Sequence, residues 1–207
     1  MGSLARFLRR LRYGRPIVVV SGLPRSGTSL MMQMLQAGGL EIVTDAVRSP
    51  DDSNPRGYFE LEAVKDLDKG GPAPWLAAAR GKAVKIVSPL LRWLPDSYNY
   101  RVILMDRDLD EVMASQNRML AARGVPHDES GHERVKGLYR VLDEDTRRLL
   151  GTRRCFSTLI VEYGETVGRP EDTARRITRF LGAPLDVRRM TEAADPALYR
   201  NRSRTGV

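Results

Sequence analysis

Residues 17–29 constrain this chain more than any other stretch. Ile17-Val18-Val19-Val20 is a β-branched run without polar alternation, which fits a strand buried on both faces. It runs directly into Gly22-Leu23-Pro24-Arg25-Ser26-Gly27-Thr28-Ser29, and Leu30 to Ala37 then reads as a helix that stops at Gly38-Gly39. A strand, a glycine-bearing turn and a helix in succession aim backbone N–H groups and a helix N-terminus into one small space. Such a space attracts an anion, and glycine lets the backbone come close to it.

The glycine spacing is that of the nucleotide-phosphate pattern G-x-x-x-x-G-K-S/T, with one departure. Thr28 stands where the pattern has lysine. An NTPase sets that lysine on the β- and γ-phosphates, with Mg²⁺ beside it. Here the cation lies within the loop, as Arg25, which suits an anion of lower charge than a triphosphate, held without a metal.

The rest of the chain continues the alternation. Residues 44–58 read as a long loop, Glu60 to Asp68 as helical and Gly70 to Pro74 as a breaker cluster. Ala83 to Val87 is a second strand. Val102 to Met105 is a third, running into Asp106-Arg107-Asp108 and a helix to about Ala122. A charged helix over 131–150, a strand over Phe156–Val161 and a helix over Glu171–Leu181, closed by Gly182, complete it. Strands alternating with helices predict a P-loop-like, three-layer α/β fold with a central, mostly parallel sheet flanked by helices. Ligands of such sheets bind at the C-terminal strand ends, here the loops after Val20, Val87 and Met105. The 207 residues suit one domain over 1–207, led by a basic amphipathic helix within 1–15.

Composition narrows the function classes. The net charge is +8, but Arg6, Arg9, Arg10, Arg12 and Arg15 carry five of those charges with no acid near them, leaving +3 for the body. A mildly basic body argues against a nucleic-acid partner and fits a pocket for a small, anionic ligand. Cys155 is the lone cysteine, so no internal disulfide forms, and it reads as an inert core residue. No apolar stretch reaches membrane-span length and no secretory leader is apparent, which makes a cytoplasmic protein the expectation. In residues 4–12, Leu4, Phe7, Leu8 and Leu11 share one face and arginines fill the other. That helix either docks on its own domain or a partner chain, or makes weak contact with an anionic membrane surface.

Val20 to Leu30 resembles the 5′-phosphosulfate-binding loop of sulfotransferases that use 3′-phosphoadenosine 5′-phosphosulfate (PAPS). It takes the PRSGT form found in tyrosylprotein and many bacterial sulfotransferases. The resemblance implies that Arg25, Ser26, Gly27, Thr28 and Ser29 contact the 5′-phosphosulfate. A second hallmark of the family is an arginine just after a strand with a serine eight residues on, both holding the 3′-phosphate. Arg107 and Ser115 reproduce that spacing, about two helical turns apart. Thr158 to Tyr163, Arg169 to Glu171 and Ile177 to Gly182 resemble the closing strand, turn and helix of these enzymes, so the likeness spans roughly 16–182. The ending Tyr199-Arg200-Asn201-Arg202 resembles that of short bacterial sulfotransferase-like proteins. Arg200 or Arg202 then reaches the 3′-phosphate, or forms a solvated basic tail.

The implied chemistry is in-line sulfuryl transfer from PAPS to a hydroxyl or amine, leaving 3′-phosphoadenosine 5′-phosphate (PAP), with no metal. Arg25 is the candidate for stabilising the leaving phosphate. Lys85, in the second strand, matches a lysine that contacts the bridging oxygen in many sulfotransferases, or it is a strand lysine reaching solvent. The catalytic histidine of cytosolic sulfotransferases would fall at Val87, and His127 and His132 both lie in a polar stretch expected at the surface. A carboxylate base is the alternative, as in tyrosylprotein sulfotransferases: Asp45 first, with Glu41 nearby, then Glu60 in Asn54 to Glu60. Two other readings stay open, a P-loop nucleotide kinase or NTPase and a non-catalytic nucleotide-binding module. The acceptor, which would be chosen by loops 41–60, 69–82 and 123–133, is open among sugar, lipid, phenol and peptide. So is the oligomeric state.

Overall fold

The computed structural model describes residues 3–45, 57–122, 124 and 129–194. Helix α1 (Ser3–Tyr13) leads into strand β1 (Ile17–Gly22) and helix α2 (Thr28–Ala37). A 3₁₀ stretch (Glu62–Lys69) and the short helix α3 (Trp75–Ala78) precede β2 (Ala83–Lys85). A second 3₁₀ stretch (Ser88–Trp93) leads to β3 (Tyr100–Asp106), α4 (Leu109–Ala122) and α5 (Glu129–Thr152). The described chain closes with β4 (Phe156–Glu162), α6 (Tyr163–Gly168), α7 (Pro170–Leu181) and α8 (Val187–Ala193).

The four strands lie in the order β2-β1-β3-β4, and each neighbouring pair is parallel. The apolar run of β1 is buried at every position because layers cover both faces. Period-two alternation sends Val18 and Val20 to one core, with Met31, Met34 and Leu35 of α2, Ile177 and Leu181 of α7, and Met190 of α8. Ile17 and Val19 enter a second core with Leu67, Leu91, Leu94, Leu150 and Phe156. These are the expected three layers.

Several local expectations shift. The segment at Glu60–Asp68 is 3₁₀ rather than α-helical and runs Glu62–Lys69. β2 ends at Lys85 instead of Val87, because the chain bends at Val87 into the 3₁₀ stretch that carries Pro89 at its start. That stretch, α3, α6 and α8 are each at most about two turns of helix, too short for apolar periodicity to reveal. Cys155 is buried in the second core, where burial pushes its thiol pKa up to about 12, as an inert core cysteine requires.

One consequence of strand order matters for ligands. From β1 the chain crosses to β2 on one side, then returns over β1 to β3 on the other. The C-terminal ends of β1 and β3 therefore flank a point where the winding reverses, and the loops leaving them diverge to open a crevice.

Candidate functional site

The loop after β1 sits at this crevice. Ser26 N–H closes its turn on Leu23 O at 3.2 Å. Gly27 is the N-cap of α2 at φ +100°, in the left-handed region. A Cβ at Gly27 would lie 2.3 Å from the ring of Tyr163, so only glycine lets the loop pack on that tyrosine. A Cβ at Gly22 would meet Ser26 Oγ at 2.4 Å and Met105 O at 2.7 Å, which ties the loop closely to β3. Ser26 Oγ is buried beneath the loop and has no hydrogen-bond partner among the described residues. Thr28 and Ser29 open α2, whose first-turn N–H groups have no carbonyl within the helix.

Arg25 has φ +68°, and Phe59 is the other non-glycine residue with positive φ among the described residues. A left-handed backbone costs an L-residue roughly 1–2 kcal/mol, and such strain collects where function over-determines conformation. Both strained residues lie at this crevice.

The loop after β3 brings the second group. Asp108 caps α4, accepting from Asp110 N at 3.0 Å and Glu111 N at 3.1 Å through Oδ1. Arg107, just before the cap, donates from Nη1 to Arg25 O at 3.1 Å. Arg25 Nε in turn donates to Ser115 Oγ at 3.1 Å. The residues expected at the two ends of one ligand, Arg25 against Arg107 and Ser115, are thus in direct contact.

Two partners of Arg107 escaped the sequence reading. Its Nε donates to Glu111 Oε2 at 3.0 Å, and both side chains are nearly buried, 6% and 5% exposed. Its guanidinium lies 4.1 Å from the centre of the Tyr163 ring. Burial raises the Tyr163 phenol above its ordinary pKa, with Arg107 opposing. The i,i+4 spacing of Arg107 and Glu111 was a usable signal. Tyr163 carried none, because it arrives from the far end of β4.

Lys85 closes the other side of the loop. At the end of β2 its Nζ donates to Tyr58 O at 3.0 Å, approaches Ser29 Oγ at 3.4 Å and lies 3.8 Å from Glu60 Oε1. Lys85 is only 10% exposed, so this is no strand lysine reaching into solvent. The structure therefore gathers Glu60, Lys85 and Ser29 on one side of the loop and Arg25, Ser115 and Arg107 on the other.

Asp45 is placed differently. Its side chain is exposed, and its Oδ2 accepts from Glu62 N at 2.5 Å, capping the 3₁₀ stretch. Thr44 Oγ1 and Asp45 N both donate to Glu60 O, at 2.7 and 3.4 Å, so this strand-like segment holds the backbone of Glu60. Glu41 pairs with Lys82 away from the loop. Asp106 pairs with Arg147 of α5 at 2.9 Å. Val87 is 41% exposed, and His132 stands in α5 near Asn117 at 3.4 Å. His127, Arg200 and Arg202 lie outside the described residues.

No family model matches the sequence, and no curated protein matches it. Solved structures do. The sulfotransferase domain from the Synechococcus PCC 7002 olefin synthase superposes with a TM-score of 0.54 at 18% identity, covering 91% of this chain and 84% of that domain. The sulfotransferase domain from the curacin biosynthetic pathway gives 0.51 at 14% identity, covering 87% and 78%. Likeness at such identities is a matter of backbone path. On that ground the chain has the fold of the sulfotransferase domains.

Proposed function

We propose that this protein is a PAPS-dependent sulfotransferase that moves a sulfuryl group to a hydroxyl or amine of an acceptor. The observation that carries the proposal is the contact between the two anion-holding loops at the switch point, Arg107 to Arg25 O and Arg25 to Ser115. One ligand with an anionic group at each end, a 5′-phosphosulfate and a 3′-phosphate, suits that pair better than a single triphosphate chain does.

The residues divide the work. The first turn of α2, with Thr28 and Ser29, takes the 5′-phosphosulfate, while Gly27 and Ser26 give the loop its shape. Arg107 and Ser115 hold the 3′-phosphate, and Tyr163 and Glu111 set the arginine's plane. Arg25 meets the charge that develops on the leaving phosphate, and Lys85 approaches the bridging oxygen from β2. When PAPS is bound, it supplies the sulfuryl group and a phosphate as leaving group. Three cations gathered at the loop suit that charge without a metal. Arg200 and Arg202 are further candidates for the 3′-phosphate.

The base is Glu60 in this proposal, ahead of Asp45. Glu60 stands beside Lys85, whereas Asp45 caps the segment that follows Glu60. We expect Glu60→Gln to lower kcat by about 10²- to 10⁴-fold with little change in PAP affinity. Asp45→Asn keeps a side-chain oxygen for that cap and is expected to leave both kcat and thermal stability close to wild type. A larger loss of kcat in Asp45→Asn than in Glu60→Gln would restore Asp45 as the base.

Thermal unfolding with PAP, 5′-AMP, ADP and ATP, with and without Mg²⁺, tests the donor. A ligand at 100 times its Kd stabilises by about 2.7 kcal/mol. Selective, metal-independent stabilisation by PAP is the expected result. Stabilisation by Mg·ATP without preference for PAP would replace this reading with a nucleotide kinase or NTPase. Tight PAP binding, with kcat unaffected by any of the named substitutions, would leave a nucleotide-binding module.

A further inference from the structure

Helix α1 is attached to the domain by its polar side. Arg9 donates from Nε to Asn99 Oδ1 at 3.0 Å, and from Nη2 to Asp96 O at 2.9 Å and Tyr98 O at 3.0 Å. Asn99 answers by donating from Nδ2 to Arg9 O at 2.9 Å and to Gly14 O at 3.2 Å. Two leucines of the apolar side are turned away from the protein. Leu8 is 55% exposed and Leu11 69%. An amphipathic helix that docks to its own domain normally does the reverse and buries its apolar stripe. Arg9 here forfeits that gain and holds Leu8 and Leu11 outward.

The surroundings of the stripe are cationic. Arg10, Arg12 and Arg15 are exposed beside Leu8 and Leu11, and no acidic residue occurs in the chain before Glu41. A second copy seated on this helix would set these arginines against their own counterparts, with no acid in the helix itself to offset them. An anionic bilayer surface meets both halves of the face, taking the leucines at the acyl boundary and the arginines at the phosphates.

We propose that α1 is a docking element for an anionic phospholipid surface, with Arg9 as the clamp that presents it. The fold gives the contact a direction. Asn99 precedes β3 and donates nothing to the crevice; its carbonyl accepts from Ile17 N at the start of β1 at 2.8 Å. Helix α1 therefore lies at the N-terminal end of the sheet, and the candidate site lies at the other end, about 20 Å away along β1. A protein resting on α1 keeps its crevice open to solvent, so lipid binding and nucleotide binding are independent.

The test is co-sedimentation of the full chain with vesicles of phosphatidylcholine, with and without phosphatidylserine. Partitioning at least roughly tenfold stronger onto the phosphatidylserine vesicles at low salt is expected, and raised salt should release the protein. Leu8→Ser with Leu11→Ser should weaken partitioning roughly tenfold or more, with circular dichroism and the PAP-induced thermal shift unchanged. Equal partitioning onto neutral and anionic vesicles would overturn the proposal. So would wild-type partitioning by the double variant, or light scattering that shows a dimer lost in that variant, which would make a second copy the occupant.

Discussion

Replacing Arg107 by alanine is expected to weaken PAP binding by roughly 10- to 100-fold while leaving 5′-AMP within about threefold, from the value of hydrogen bonds between charged groups. The discrimination follows from position. Arg107 leaves β3 on the side of the switch point assigned to the 3′-phosphate, a group that 5′-AMP lacks. The same change should also lower stability, because the nearly buried Glu111 carboxylate loses the Arg107 guanidinium. Titration calorimetry at a temperature where the variant is folded reads the first effect, and denaturant unfolding reads the second. Arg107→Ala combined with Glu111→Gln separates them, since a neutral amide at 111 recovers much of the stability and none of the selectivity. Equal weakening of PAP and 5′-AMP would remove Arg107 from the 3′-phosphate site.

Arg25→Ala should lower kcat by about 10²- to 10³-fold with little change in KM for the acceptor, because the charge it meets develops only in the transition state. Its backbone complicates a simple truncation, since alanine at φ +68° is as strained as arginine. Arg25→Gly removes the same cation and also relieves that strain, so it should be as inactive as Arg25→Ala yet about 1–2 kcal/mol more stable. A kcat recovered in Arg25→Gly would mean that loop conformation, not the guanidinium, carries the effect. Loss divided equally between kcat and acceptor affinity would rule out a transition-state role.

Much of the site was legible because its parts are local. β1, the loop from Gly22 and α2 are contiguous, and their pattern depends on neighbours a few residues away. Arg107 and Ser115 are likewise fixed relative to one another by the strand end and the α4 helix that joins them. Periodicity identified the buried strands and the long helices for the same reason. The carboxylates were harder to rank. Asp45 and Glu60 are both acidic residues in a polar segment, and only the pairing of Thr44 and Asp45 with the Glu60 backbone separates a cap from a group beside Lys85.

The sequence by itself determined the strand–loop–helix unit of the candidate site, the parallel α/β class and the arginine–serine spacing after β3, since each rests on interactions among near neighbours in the chain. The tertiary structure alone decided which residues share the crevice. The crossover from β2 over β1 to β3 brought Arg107 onto Arg25, and β4 carried Tyr163 beneath Gly27 and against Arg107. It also decided which side of α1 faces outward. Helical spacing defines an apolar stripe, but the Arg9 contacts with Asn99, made across ninety positions of chain, choose its direction. Contacts of that kind depend on the path of the backbone, which no local pattern encodes.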